Sequence, residues 1–118
     1  TLITEAEKYL GYPYVWGGSS PSTSFDCSGF VSYVLTNSGL CNTGRLGAQG
    51  LYNISTPVSD PQPGDLVFYP GDEHAGIVGG RDESGNLRII HCAFSQNNVV
   101  MTGLEGFTSI GRPRYYTE

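Results

Sequence analysis

Cys27 opens a segment whose residue spacing is typical of a half-buried helix. From Cys27 to Leu35, apolar residues recur at positions i, i+3, i+4, i+7 and i+8. Asp26 stands where an N-cap residue belongs, and Gly39 follows where a glycine commonly ends a helix. The unpaired N–H groups and the dipole of a helix N-terminus favour a thiolate over a thiol. The pattern therefore predicts either a cysteine nucleophile or a small hydrophobic residue buried at the start of a helix.

His74 and His91, the two histidines of the chain, are candidates for the base that such a nucleophile requires. They fall in two predicted strands, His74–Gly79 and Leu87–Ala93, which a polar turn at 80–86 joins. An even-length turn would put both imidazoles on one face of this hairpin, the face that a helix would cover. An odd-length turn would put them on opposite faces, with no joint role. In a joint site, one imidazole acts as the base and a second polar group orients it.

The sequence contains no recognisable metal-binding pattern. Two histidines without an HExxH or HxH motif are too few for a metal site, and the cysteines at 27, 41 and 92 match no zinc spacing. We therefore expect neither a metal nor another cofactor. A disulfide between Cys41 and Cys92 stays open, because the sequence does not show whether their Cα atoms lie close together.

The order of the remaining elements predicts an α+β domain. Thr4 to Glu7 form a predicted capping box that opens a helix ending at Leu10, and a second short helix is expected over 45–52. Residues 19–24 are predicted to be a loop, and 56–64 a connector. The predicted strands are Leu66–Tyr69, His74–Gly79, Leu87–Ala93, Asn98–Thr102 and Ser109–Tyr115. The aromatic residues predicted to lie in the core are Trp16, Tyr52, Phe68 and Tyr69.

Length and charge exclude several classes of function. The 118 residues are enough for one domain, residues 1–118, with a single core. The net charge is −5 and the six basic residues are scattered, whereas nucleic-acid binding requires clustered Lys and Arg. No apolar run approaches the ~20 residues of a membrane span. Because the chain starts without Met or a signal peptide, we expect a domain excised from a longer protein.

Five motifs, taken in order, resemble the NlpC-type cell-wall cysteine peptidases, the p-sixty superfamily. They are YVWGG at 14–18, DCSGF at 26–30, PGDLVF at 63–68, HAGIV at 74–78 and IH at 90–91. The resemblance covers essentially the whole chain. It implies a papain-like core in which N-terminal helices pack on an antiparallel sheet of about five strands.

The resemblance also implies roles for individual residues. Cys27 would be the nucleophile, His74 the general base and acid, and His91 the residue that orients His74. The implied reaction is hydrolysis of peptidoglycan stem peptides between D-γ-glutamate and the following diamino acid, through a thioester. The implied setting is extracellular or associated with the bacterial cell wall, with a lysozyme-like or wall-binding domain as companion in the full-length protein.

Three further residues are implied in substrate binding. Tyr14 would hold the oxyanion together with the backbone N–H of Cys27. Asp26 and Ser28 would bind the free amino end or the D-Glu of the peptide, which predicts a preference for stem peptides with a free amino terminus. Two alternatives stay open: an N-acetylmuramoyl-L-alanine amidase or acyltransferase on the same fold, and a non-catalytic cell-wall-binding module.

Overall fold

The computed structural model describes residues 2–20, 22, 24–38, 47–59, 61–70, 74–93, 98–103 and 107–113. Within these ranges the helices are α1 Leu2–Glu7, α2 Cys27–Asn37 and α3 Ala48–Asn53. The strands are β1 Ser19–Ser20, β2 Ser24–Phe25, β3 Ser55–Pro57, β4 Leu66–Phe68, β5 Ala75–Arg81, β6 Leu87–Ala93, β7 Asn98–Thr102 and β8 Ser109–Pro113. The predicted α+β class is confirmed. No helix in these ranges is both long and apolar enough to cross a membrane.

Six strands form one antiparallel sheet in the order β3-β8-β4-β5-β6-β7. The sequence predicted about five. The additional strand is β3, at the start of the segment predicted to be a connector, and it pairs with β8. Pro57 argued against a strand there, but β3 is an edge strand, where a missing N–H is tolerated. The predicted loop at 19–24 is also partly wrong, because β1 and β2 pair as a separate two-stranded sheet.

Helix α2 packs against one face of the main sheet and forms the principal core. Its buried apolar face and the strand residues beneath it include Phe30, Val31, Val34, Leu35, Leu66, Phe68, Ala75, Ile77, Ile90 and Cys92. A second buried cluster lies on the opposite face of the sheet and consists of Val67, Val78, Leu87, Ile89 and Phe107. Cys92 is a free thiol whose Sγ donates to the carbonyl oxygen of Phe25 at 3.2 Å, and Cys41 lies outside the described residues.

The predicted capping box of the first helix is wrong. Helix α1 begins at Leu2, so Thr4 lies inside it, and i→i+3 hydrogen bonds continue the chain as turns through Leu10. Glu5 is the buried carboxylate of this region, and it accepts hydrogen bonds from the Tyr9 hydroxyl and the Asn37 amide, each at 2.7 Å. These contacts tie the end of α1 to α2, which the local capping pattern does not encode.

Helix α3 and two of the aromatic residues also differ from the prediction. Gly47 is the N-cap of α3, which ends at Asn53, and residues 45 and 46 lie outside the described ranges. The prediction that Trp16 belongs to the core is wrong, because its side chain is 86% exposed on a turn closed by the Gly18 N–H bond to Val15. Tyr52 is also exposed, although its ring meets that of buried Phe68 edge to face.

An ion pair between the exposed Arg112 and the buried Asp65 joins β8 to the residue that precedes β4. The Nε and Nη2 atoms of Arg112 donate to the two carboxylate oxygens of Asp65 at 2.7 and 2.9 Å. Asp65 is 1% exposed, and its Oδ2 also accepts the backbone N–H of Gln62 at 2.8 Å. A carboxylate this deeply buried requires such partners, because ionised groups are costly to remove from water.

Candidate active site

Asp26 fixes the start of α2, as the sequence predicts. Its Oδ1 accepts the backbone N–H of Gly29 at 2.7 Å, which is the N-cap bond, and its Oδ2 accepts that of Gly17 at 3.0 Å. A Cβ at Gly29 would collide with the carbonyl oxygen of Gly18, so only glycine allows the turn and the helix to pack this closely. Cys27 is therefore held in the first turn of α2, while Gly39 lies outside the described residues.

The Cys27 thiol lies in a partly buried position where backbone amides converge on the sulfur. The N–H groups of Ala75, Ser28 and Cys27 itself hydrogen-bond to the sulfur and lower its pKa. Burial, and after it the charge of Asp26, raise the pKa of the thiol by more, so the net shift is upward. The predicted preference for a resting thiolate is therefore wrong, because desolvation and the capping carboxylate outweigh the N–H groups of Ala75, Ser28 and Cys27.

The hydrogen bond from Ala75 to the sulfur brings β5 and its flanking His74 to the start of α2. His74 is hydrogen-bonded in turn to His91, with 2.7 Å between His74 Nε2 and His91 Nδ1. His91 therefore engages Nε2 of His74, and the other ring nitrogen of His74 is Nδ1. The structure brings Cys27, His74 and His91 together in one region of the molecule.

A β-bulge decides that the two imidazoles share a face. The turn at 82–86 has an odd number of residues, which by itself would put His74 and His91 on opposite faces of the hairpin. The β5–β6 register shifts by one residue between Val78 and Gly80, and this shift returns both rings to the same face. The prediction of a shared face thus holds, although the even-length turn on which it rested is absent.

The shared face is not the one that α2 covers, so that part of the prediction is wrong. Ile90 and Cys92 point toward α2, and strand alternation therefore directs His91 to the opposite side. There the ring of His91 meets that of Phe107, with 5.2 Å between their centroids. The histidines approach Cys27 at the beginning of β5 rather than beneath the helix, because His74 immediately precedes that strand.

Aromatic rings surround the imidazoles and exclude water from them. His74 stacks on Phe107 with a centroid distance of 5.8 Å, and the ring centroid of Tyr69 lies 4.8 Å from that of His74. Burial lowers the pKa of His74 to about 4. Burial, and after it the neighbouring His74, lower the pKa of His91 to about 4 as well. Both imidazoles are consequently neutral at neutral pH.

Thr102 is a member of this cluster that the sequence analysis did not identify. Its Oγ1 lies 2.9 Å from His91 Nε2 and 3.2 Å from the carbonyl oxygen of Gly103. His91 pairs with Val100 in the β6–β7 ladder, so Thr102 is its diagonal neighbour on the same face. The period of two along β7 was the available signal, but it does not distinguish this threonine from any other strand threonine.

The remaining predicted site residues lie around the start of α2. Tyr14 forms a parallel bridge with Phe25, two residues before Cys27. Burial, and after it the charges of Cys27 and Asp26, raise the pKa of Tyr14, so its hydroxyl stays protonated at neutral pH. Ser28 is buried in the first turn of α2, and Asp26 is 5% exposed.

The geometry defines an α+β domain with a thiol at a helix terminus and a histidine pair on the adjoining sheet. Across the described ranges, no three or more His, Cys, Asp or Glu side chains are grouped as metal ligands. Residues 11–109 match the NlpC/P60 family. The chain therefore belongs to the NlpC/P60 family, and its fold is papain-like.

Known proteins similar to this chain carry endopeptidase and hydrolase names. It is 46% identical over 90 residues to a "Probable endopeptidase p60" of Listeria seeligeri, which covers 74% of this chain and 17% of that protein. It is 33% identical over 125 residues to the "Gamma-DL-glutamyl hydrolase" of Bacillus subtilis, which covers 96% of this chain and 30% of that protein. The chain thus spans less than a third of either relative.

A solved structure resembles the domain over nearly its full length. The crystal structure of an NLP/P60 family protein of Staphylococcus aureus, described as similar to lipoprotein, superposes with a TM-score of 0.79 at 30% identity. The match covers 99% of this chain and 41% of the other.

Proposed function

We propose that this domain is a cell-wall cysteine endopeptidase that hydrolyses the γ-D-glutamyl–diamino acid bond of peptidoglycan stem peptides. The observation that carries the proposal is the proximity of the Cys27 thiol to a hydrogen-bonded histidine pair. The Cys27 sulfur accepts the N–H of Ala75, and His74 is the residue immediately before Ala75 in the chain. His74 is in turn hydrogen-bonded to His91. The names of the relatives, endopeptidase p60 and gamma-DL-glutamyl hydrolase, support the substrate class.

The mechanism follows from the protonation states. Because the pKa of the thiol is raised and that of His74 is lowered, the resting pair is neutral. Nδ1 of His74 takes the thiol proton as the sulfur attacks the carbonyl carbon, and the imidazolium then gives this proton to the leaving amine. Water, activated by the same imidazole, opens the thioester and releases the γ-carboxylate. His91 orients His74 throughout.

The oxyanion and the substrate meet the residues around the start of α2. The backbone N–H of Cys27 and the protonated hydroxyl of Tyr14 stabilise the charge that develops on the carbonyl oxygen. Ser28 offers a hydroxyl to the D-Glu carboxylate. Asp26, whose oxygens hold the helix and the preceding turn, adds a negative charge that suits a cationic amino terminus on the substrate.

The proposed setting is peptidoglycan outside the bacterial cell. The domain acts there without a metal or other cofactor, as the catalytic unit of a longer secreted protein with a lysozyme-like or wall-binding companion domain. The relatives' greater length is consistent with such companions.

Digestion of defined stem peptides tests the proposal. L-Ala-D-Glu-diamino acid peptides with free and with muramyl-blocked amino termini are incubated with the domain, and the products are weighed by mass spectrometry. Release of L-Ala-D-Glu, with faster turnover of the free-terminus peptide, is expected. Cys27→Ser should reduce the rate by several orders of magnitude, and iodoacetamide should abolish activity that EDTA leaves unchanged.

Two other outcomes would contradict the proposal. Release of intact peptide from the muramyl sugar would identify an amidase. Binding of wall fragments without any product would identify a non-catalytic module.

A further inference from the structure

The hydrogen bonds of the histidine pair do not end at His91. Its Nε2 lies 2.9 Å from Thr102 Oγ1, and the same hydroxyl oxygen lies 3.2 Å from the carbonyl oxygen of Gly103. His91 is 4% exposed, so water does not substitute for these partners. Gly103 O, Thr102, His91 and His74 thus form one chain of hydrogen bonds that leads toward the Cys27 thiol.

The donor and the acceptor of each hydrogen bond follow from the Gly103 carbonyl, at which this chain of bonds ends. A carbonyl oxygen only accepts, so the single hydroxyl proton of Thr102 is donated to Gly103. The hydroxyl oxygen then accepts from His91, which places a proton on His91 Nε2. In a neutral imidazole the other nitrogen carries a lone pair, so His91 Nδ1 accepts from His74 Nε2. His74 is left with its own lone pair on Nδ1.

We propose that Thr102 is a positioning residue that sets the tautomers of both histidines, so that His74 presents an unprotonated Nδ1 to the thiol. The inference deepens the proposed function and rests on it for the catalytic role, but the tautomers themselves do not depend on any activity. Both imidazoles are neutral at neutral pH, so each ring carries a single N–H proton there.

The opposite arrangement would disable the base. If His91 carried its proton on Nδ1, it would donate to His74 Nε2, and His74 would carry its proton on Nδ1. Such a ring has no lone pair toward the thiol and cannot accept its proton. In serine proteases, a wrong histidine tautomer lowers kcat about 10⁴-fold.

The arrangement also prepares the pair for the charged state. When His74 accepts the thiol proton, its Nε2–H already points to the lone pair of His91, so neither ring has to turn. The positive charge is then stabilised by a chain of oriented dipoles that ends at the Gly103 carbonyl.

Nitrogen-15 NMR of the imidazoles tests the assignment directly. The domain is labelled on its histidines in a Cys27→Ala background, which removes turnover, and the spectra are recorded at pH 7. We expect Nε2-protonated tautomers for both His74 and His91. A proton on Nδ1 of either ring would overturn the proposal, and this measurement requires no variant at Thr102.

Two substitutions then separate the hydroxyl from the volume of the side chain. Thr102→Val keeps the shape and removes the hydroxyl, so the Nδ1-protonated share of His91 should rise. Thr102→Ser keeps the hydroxyl and should retain the wild-type tautomers. Thr56→Val, on the exposed edge strand β3, is the matched control and should leave both spectra unchanged. An unchanged His91 tautomer in folded Thr102→Val would overturn the proposal.

Kinetics on stem peptides give the second measurement, with Cys27 intact. Thr102→Val should lower kcat by about ten- to hundredfold, the effect expected when a buried donor loses its acceptor, with KM unchanged. Thr102→Ser should recover most of kcat. An equal loss in both variants, or a change confined to KM, would contradict a positioning role. If the tautomers shift as expected but wild-type protein cleaves no stem peptide, the tautomer assignment stands and the proposed function fails.

Discussion

Substituting Asp26 by asparagine should lower both the stability of the domain and the pKa of the Cys27 thiol. The carboxylate holds the helix start through Gly29 and the preceding turn through Gly17, and its charge is one of the causes that raise the pKa of the thiol. The asparagine side chain would keep one amide oxygen for the cap. Its NH₂ group would face the N–H of Gly17, which leaves that N–H without its acceptor. We therefore expect a less stable domain with a more acidic thiol.

The size of the stability effect follows from the orphaned donor. The N-cap bond is retained, so the loss reduces to an unsatisfied N–H group beside a side chain that is 5% exposed. Such a group destabilises by about 1 kcal/mol, the lower end of the range for a buried donor, because Gly17 itself is exposed. For a domain of this size, the melting temperature should fall by roughly 4 °C per kcal/mol. The thiol pKa should fall because the negative charge is removed while burial and the three N–H donors stay.

Urea unfolding and the pH dependence of iodoacetamide alkylation measure the two effects. The alkylation midpoint of Asp26→Asn should move to lower pH than that of the wild-type protein. Asp82→Asn is the matched control, because Asp82 also accepts two backbone N–H groups, from Ser84 and Asn86, but in the exposed hairpin turn. A midpoint that stays in place or rises, in protein with reduced stability, would refute the electrostatic part of the reasoning. Unchanged stability would refute the stabilising role of the bond between Gly17 and Asp26.

The remaining predictions concern packing, an ion pair and pH. Gly29→Ala should destabilise by about 1–3 kcal/mol because its methyl group would collide with a backbone carbonyl. Gly47→Ala, with open space around it, should change the urea midpoint little, and equal effects would contradict the steric argument. Arg112→Leu leaves its buried carboxylate partner unpaired and should cost about 2 kcal/mol, less than a fully buried pair because the guanidinium is partly exposed. Calorimetry checks this loss, and an unchanged melting temperature would contradict it. Burial holds the pKa of His74 and His91 at about 4, below the unfolded value of about 6.5. Their contribution to stability is present above pH 6.5 and lost as pH falls to about 4, on the order of 3 kcal/mol for each. The free energy of unfolding, measured by urea titration at several pH values in this window, should depend less on pH in the His74→Gln/His91→Gln double variant than in the wild-type protein. An identical dependence on pH would count against buried neutral histidines.

Features that depend on neighbours in the chain could be predicted from the sequence alone. The cap of α2 is one example, because Asp26 and Gly29 are three residues apart and form their bond whenever the helix forms. The compact apolar run at 66–69, bounded by turn residues, likewise predicted β4, because such a run is typical of a buried strand. The order of motifs predicted the NlpC/P60 family for the same reason, because each motif consists of residues that are neighbours in the sequence.

Other features depended on the tertiary structure. The face of the histidine pair was decided by a bulge between Val78 and Gly80, which no short pattern revealed. Trp16 was predicted to lie in the core, but the turn that carries it projects into solvent. Strand β3 formed in spite of Pro57 because the edge of the sheet accepts a residue without an N–H.

The state of the thiol shows the physical reason most directly. The N–H groups of Ser28 and Cys27 at the helix terminus lower the pKa of Cys27, as does the N–H of Ala75 from β5, whereas burial and then the charge of Asp26 raise it by more. Thr102 is likewise eleven residues from His91 and touches it only because β6 and β7 pair in one register. Local hydrogen bonds and periodicity are set by neighbouring residues, but desolvation, register and electric field are set by whatever the fold brings close, and only the tertiary structure decides these.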